Sequence, residues 1–167
     1  VVARGGTQDG RYYVSFNVFN QEGFAAGSNY DRYTGRINID QKMFDKLSLN
    51  LSSTVVRTVA NYNAYDGINS AATPFQIIWR GKPYERVYKP DGTLDFGTST
   101  ALAPKTIANA IERQQSTIYR ENGLRAFGSL GLTYEIIKGL SIRNSFGLDI
   151  EVKTSMFEIK PKTFSGG

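Results

Sequence analysis

The feature that most constrains the fold of this chain is a two-residue alternation that runs from Leu124 to Lys153. Successive side chains of a β-strand point to opposite faces, so this period predicts strands and not a helix. A break at Lys138-Gly139 divides the pattern, which predicts a long antiparallel hairpin with a short turn. Apolar or small side chains share one face at Leu124, Ala126, Gly128, Leu130, Leu132, Tyr134 and Ile136, and then at Leu140, Ile142, Phe146, Leu148, Ile150 and Val152.

Each strand of this hairpin keeps its alternation for about ten residues or more, whereas strands of globular domains usually have about five to six. The opposite face carries charged residues and glycines, among them Arg125, Gly131 and Asp149. An apolar face and a polar face over about ten residues are typical of an outer-membrane β-barrel strand. A soluble β-sandwich, or a sheet with one wet face, is the alternative that this hairpin alone leaves open.

The same alternation predicts earlier strands over residues 12–18, 33–39 and 47–55, with residues 1–4 as the tail of another. The connections between strands alternate in length along the chain. Outer-membrane barrels place short turns on the periplasmic side and long loops outside, so this alternation favours the barrel over the sandwich. The short connections are 5–10, 41–46 and 137–139, and the longer ones are 21–29 and 58–122.

Composition excludes several functions. The 167 residues include no Cys and no His, which excludes thiol nucleophiles, disulfides, zinc-thiolate sites and imidazole catalysis. The net charge of +5 is scattered, without the basic run that marks a nucleic-acid partner. Carboxylates such as Glu135, Asp149 and Glu151 remain as a pair for glycoside hydrolysis, but solvated charges on a wet face are the stronger interpretation. Neither end reads as a natural terminus, which suggests an internal piece of a longer protein.

The segment 58–122 is an aromatic-rich insert with a predicted helix at 104–115. Loops of this length are usually functional or disordered, and the aromatic content argues against disorder. We name Trp79, Tyr84 and Tyr88 as candidates for contact with a substrate or a covering partner. The alternative is that these rings only pack the insert upon itself.

Six segments occur in the order in which one family carries its motifs. They are 5–15 (GGTQDGRYYVS), 20–24 (NQEGF), 32–40 (RYTGRINID), 47–52 (LSLNLS), 88–92 (YKPDG) and 132–140 (LTYEIIKGL). In this order they resemble the SusC/RagA family of TonB-dependent outer-membrane transporters of Bacteroidetes. The resemblance extends over nearly the whole chain.

This resemblance implies a barrel of about 22 strands with a plug in its lumen, of which residues 1–167 are one portion and 58–122 an extracellular loop. It implies the outer membrane of a Gram-negative bacterium, uptake of an oligosaccharide or oligopeptide, and no enzymatic activity or cofactor. The implied partners are membrane lipid, a SusD-like surface lipoprotein that covers the barrel, and TonB with ExbB and ExbD. The plug and the TonB box have no counterpart in these residues, so no ligand contact is carried over.

The barrel prediction assigns sixteen side chains to an outward apolar band about 25 Å tall. Because lipid would cover this band, the side chains should be exposed in the chain by itself. Burial between two sheets would instead favour the alternative, a soluble carbohydrate-binding or adhesive β-sandwich. The sixteen are Tyr12, Val14, Phe16, Val18, Ile37, Ile39, Leu47, Leu49, Leu51, Leu130, Leu132, Leu140, Ile142, Phe146, Leu148 and Ile150.

Overall fold

The computed structural model describes residues 1–23, 27–62, 86–95, 111 and 115–161. Six strands form one sheet in the order β1-β2-β3-β4-β5-β6, so each strand pairs with its neighbours in sequence. This up-and-down antiparallel order confirms the all-β prediction. The strands are β1 (Val2–Gly6), β2 (Gly10–Glu22), β3 (Asn29–Met43), β4 (Leu47–Tyr62), β5 (Thr117–Ile137) and β6 (Leu140–Ile159).

The strands are longer than the apolar alternation predicts. β4 continues to Tyr62 and β5 begins at Thr117, so both strands extend into the predicted insert of 58–122. β2 and β3 likewise shorten the predicted loop at 21–29. Backbone pairing continues through polar residues, which the apolar pattern does not detect. Most of the predicted helix at 104–115 lies outside the described residues.

The chain divides into two units. The first unit comprises Val1–Asn20, Asp31–Val59 and Asn122–Thr154, and the second comprises Gln21–Tyr30, Ala60–Glu121 and Ser155–Gly167. All three short turns belong to the first unit. The turn at 44–46 holds Phe44 at a φ of 66°, and the turn at 138–139 holds Gly139 at a φ of 89°. Gly139 adopts this left-handed backbone without the steric penalty that Phe44 bears.

The sheet is a single layer with almost no hydrophobic core. Among the described residues Ala60 is the only buried hydrophobic side chain. Ten of the sixteen predicted outward side chains are exposed, including Tyr12 at 53% and Leu148 at 63%. The other six are half-buried along the strands. Within the described part of the chain no second sheet covers this face, so the structure does not form the core of the sandwich alternative.

Candidate functional site

The face opposite the apolar band carries a hydrogen-bonded polar network in the first unit. Asn50 Nδ2 donates to Asp40 Oδ1 at 2.7 Å, and Ser52 Oγ donates to Asn38 Oδ1 at 3.0 Å. Arg36 Nε donates to the same Asn38 oxygen at 3.3 Å. These residues occupy the positions of β3 and β4 that alternate with the apolar ones, so the sheet has one apolar and one polar face.

The polar face continues onto β5 and β6 through a bidentate ion pair. Arg125 Nε lies 2.9 Å from Asp149 Oδ1, and Arg125 Nη2 lies 2.6 Å from Asp149 Oδ2. The guanidinium also lies over the Phe127 ring, 5.3 Å from its centroid. Both ion-pair partners are about half exposed. This arrangement places the odd positions of both strands on the polar face, as the alternation predicts, and engages Asp149 as a structural charge.

An open polar cavity of about 460 Å³ lies on the first unit beside the 7–9 turn. Gln41 Nε2 donates to the Asp9 carbonyl oxygen at 3.2 Å, and the Lys42 backbone N–H donates to the same oxygen at 2.7 Å. Arg11 and Asp40 line the cavity with opposite charges. Groups of both signs around an open cavity favour a hydrated wall surface.

Three aromatic rings meet in the second unit. The Tyr119 ring lies 5.5 Å from the Tyr62 ring and 6.3 Å from the Phe157 ring, measured between centroids. Tyr119 Oη donates to Glu121 Oε1 at 2.7 Å. Sequence reasoning noted Tyr62 but missed Tyr119 and Phe157. Aromatic residues at odd positions of β5 and β6, where polar ones alternate, were the signal that identifies them.

Residues 86–95 form a small hairpin inside the long insert. Tyr88 and Leu94 pair as an isolated antiparallel bridge, and the Lys89 backbone N–H donates to the Thr93 carbonyl oxygen at 2.7 Å. Gly92 occupies the left-handed region at a φ of 82°, which a turn favours in glycine. The hairpin holds the Tyr88 side chain half exposed.

Asp91 holds the tip of this hairpin together. Its Oδ1 accepts a hydrogen bond from Thr93 Oγ1 at 2.6 Å and one from the Thr93 backbone N–H at 2.9 Å. The hydroxyl bond, followed by the backbone bond, lowers the pKa of Asp91 below its ordinary value. The turn is therefore an Asx-type turn that the ionised carboxylate stabilises.

Of the three sequence-predicted contact residues, only Tyr88 has a described environment. Trp79 and Tyr84 lie outside the described residues. The described residues include no group of three or more His, Cys, Asp or Glu side chains arranged to hold a metal ion. None of the helices in that part of the chain is long and apolar enough to cross a membrane.

Comparison with known proteins identifies relatives over almost the whole chain. TonB-dependent receptor P3 of Formosa agariphila is 27% identical over 173 aligned residues, which cover 98% of this chain and 16% of the receptor. TonB-dependent receptor P26 of the same organism is 28% identical over 149 residues, which cover 88% of this chain and 14% of that receptor. The chain therefore spans about a sixth of the length of these relatives. No family model matches it.

Among solved structures, the RagAB peptide transporter matches 96% of this chain and 18% of its own chain, with a TM-score of 0.65 and 20% identity. The match shows a shared fold, because the six-stranded open sheet superposes on a piece of a TonB-dependent barrel. Three observations now agree: the ordered motifs, the two receptor relatives and this fold. The chain is a segment of a TonB-dependent receptor barrel of the SusC/RagA type.

Proposed function

We propose that the protein that contains this chain imports a nutrient across the outer membrane in a TonB-dependent manner, and that this chain is part of its barrel wall. The observation that carries the proposal is the two-faced single-layer sheet. Its apolar face is exposed over the band from Ile136 to Leu124 on β5 and from Leu140 to Val152 on β6, with Leu130 and Leu132 half-buried. The opposite face is the hydrogen-bonded polar network. In a membrane barrel these become the lipid face and the lumen face.

The paired backbone of the sheet fits the same environment. Hydrocarbon satisfies no backbone hydrogen bond, so only helices and closed barrels span a membrane. β1 and β6 are the end strands of the described sheet, and an exposed edge of this length promotes aggregation. In the whole receptor we expect further barrel strands to pair with both edges.

The proposed orientation places the three short turns in the periplasm and 58–122 outside the cell. Tyr88 then lies on an extracellular hairpin, where it contacts either the substrate or a SusD-like lipoprotein, together with Trp79 and Tyr84. The substrate is an oligosaccharide or an oligopeptide. TonB, ExbB and ExbD act through parts of the receptor that lie beyond this chain.

Deleting the receptor gene tests the import function. The deletion strain should lose growth on at least one member of a panel of oligosaccharides and peptides supplied as sole carbon source. Restoring the intact gene should restore growth, whereas restoring it in a strain without TonB should not. Unchanged growth on the whole panel, with the receptor in the soluble fraction, would contradict the proposal.

A pair of variants tests the extracellular hairpin. Tyr88→Ala removes a half-exposed ring, and Val87→Ala is its matched control because Val87 is the adjacent exposed side chain. We expect Tyr88→Ala to reduce either uptake or recovery of the lipoprotein after purification in mild detergent, and Val87→Ala to reduce neither. Equal effects of the two variants would remove Tyr88 from the contact surface.

A further inference from the structure

We propose that a groove on the lipid face of β4, β5 and β6 holds an acyl chain of a membrane lipid from the outer leaflet. The groove has a volume of about 390 Å³ and is lined by residues 51–53, 126–130 and 146–148. All of these residues belong to the first unit. The inference rests on the proposed membrane location and adds a binding site to it.

The alternation places the groove on the lipid face. Ser52 hydrogen-bonds to Asn38 and Arg125 pairs with Asp149 on the lumen face. The residues between these positions therefore point the other way. They provide the side chains of the groove, which are Leu51, Ser53, Ala126, Gly128, Leu130, Phe146 and Leu148. No charged residue lines the groove.

Small residues form the floor of the groove because two backbones approach closely there. A Cβ at Gly128 would overlap the carbonyl oxygen of Ser52 and would lie 3.0 Å from Ser53 Cα. Position 128 therefore requires glycine, and its neighbours on this face, Ser53 and Ala126, are also short. Larger side chains, including Phe146 at 55% and Leu148 at 63% exposure, form the walls.

The dimensions and depth of the groove match a hydrocarbon chain. A strand rises about 3.4 Å per residue, so the stretch 126–130 is about 14 Å long, close to half of the roughly 30 Å hydrocarbon core. This stretch lies in the half of the band from Ile136 to Leu124 that is farther from the short turns. In the proposed orientation that half faces the outer leaflet.

The chemistry of the lining favours an acyl chain over other occupants. A peptide segment or a lipid headgroup carries polar groups, and these would remain unsatisfied at this depth among leucine and phenylalanine side chains. A hydrocarbon chain has no such groups and gains contacts on the floor and both walls. A second copy of the receptor is the remaining apolar occupant, and the experiment below distinguishes it.

Electron paramagnetic resonance on the full receptor tests the groove. The receptor is reconstituted in phospholipid vesicles that contain a phospholipid spin-labelled near the end of its acyl chain. Ala126→Leu fills the groove from its floor, and Ser53→Leu fills it from β4. Gly35→Leu is the matched control, because Gly35 lies on the lipid face of β3 and a Cβ there meets open space.

We expect both groove variants to lose part of the motionally restricted lipid signal, while Gly35→Leu keeps the wild-type signal. The same restricted signal in all four inserted proteins would overturn the proposal. A disulfide-linked receptor dimer formed specifically by Ala126→Cys would also overturn it, in favour of a second copy. A receptor that does not enter vesicles at all would contradict the membrane location itself, whereas an inserted receptor without the signal difference would contradict only the groove.

Discussion

Adjacent residues on one strand of this chain face different solvents. Leu132 belongs to the apolar band, and Thr133, one residue later, belongs to the polar face. The ion pair between Arg125 and Asp149 is half exposed on the polar face, where water is available to both charges. The same side chain placed one position along the strand would be in hydrocarbon. At this scale, position along the alternation decides what a substitution does.

Replacing a lipid-face residue by arginine should therefore be costly. Leu132→Arg in the full receptor should lower the free energy of unfolding by about 2–4 kcal/mol if the residue lies near the bilayer midplane, because the charge is removed from water. Thr133→Arg is the matched control and should have a mild effect. Urea unfolding in vesicles measures both. Equal losses on the two faces would argue against a bilayer.

Gly128 should not tolerate a methyl group. Gly128→Ala introduces a Cβ against the Ser52 carbonyl oxygen, and overpacking of this kind costs about 1–3 kcal/mol. Gly35→Ala should be neutral or slightly stabilising, because its Cβ meets open space and alanine loses less backbone entropy on folding. Urea midpoints of the two variants provide the comparison. A stable Gly128→Ala receptor would show that β4 and β5 are farther apart than described.

At the scale of elements, the chain combines long strands with turns that follow separate local rules. The strands depend on pairing with their neighbours, whereas the hairpin at 86–95 depends on Asp91, Gly92 and the hydrogen bonds to Thr93. Such a turn can open without disturbing the barrel, since local openings require less free energy than global unfolding.

The hairpin at 86–95 should loosen in acid. The folded pKa of Asp91 lies below its ordinary value of 3.8, so the stabilisation is present above that value and is lost as the pH falls through the folded pKa. Hydrogen exchange of this segment, corrected for the intrinsic rate at each pH, should show less protection in this acidic range. Asp91→Asn should remove the pH dependence. Protection that is independent of pH in the wild-type receptor would contradict the role of the carboxylate.

At the scale of the whole molecule, the described sheet is incomplete in a physical sense. A single layer leaves both faces open, and a domain normally packs two layers around one core. A closed barrel in lipid resolves this differently, because the bilayer covers one face, lumen water and protein cover the other, and closure removes the edges.

Residues 1–167 expressed alone should aggregate in plain buffer. Their apolar band has no lipid to cover it, and the edges at β1 and β6 have no partner strands. Size-exclusion chromatography and circular dichroism with and without detergent measure this. A folded monomer in plain buffer would instead support the soluble carbohydrate-binding or adhesive alternative.

The sequence by itself determined the strands, their two faces and the family resemblance, because alternation has a period of two and each residue reports its own solvent. It also placed Arg125 and Asp149 on one face. Strand ends, as at Tyr62 and Thr117, were not predicted, because backbone pairing there does not depend on apolar side chains.

Only the tertiary structure decided which residues meet across strands. The pairing of Arg125 with Asp149, the approach of Gly128 to Ser52, and the contacts of Tyr119 with Tyr62 and Phe157 join residues that are far apart in sequence. These contacts are set by the register between neighbouring strands, which is a property of the pair and not of either strand. The lipid-face groove follows from that register, so no pattern within a single strand reveals it.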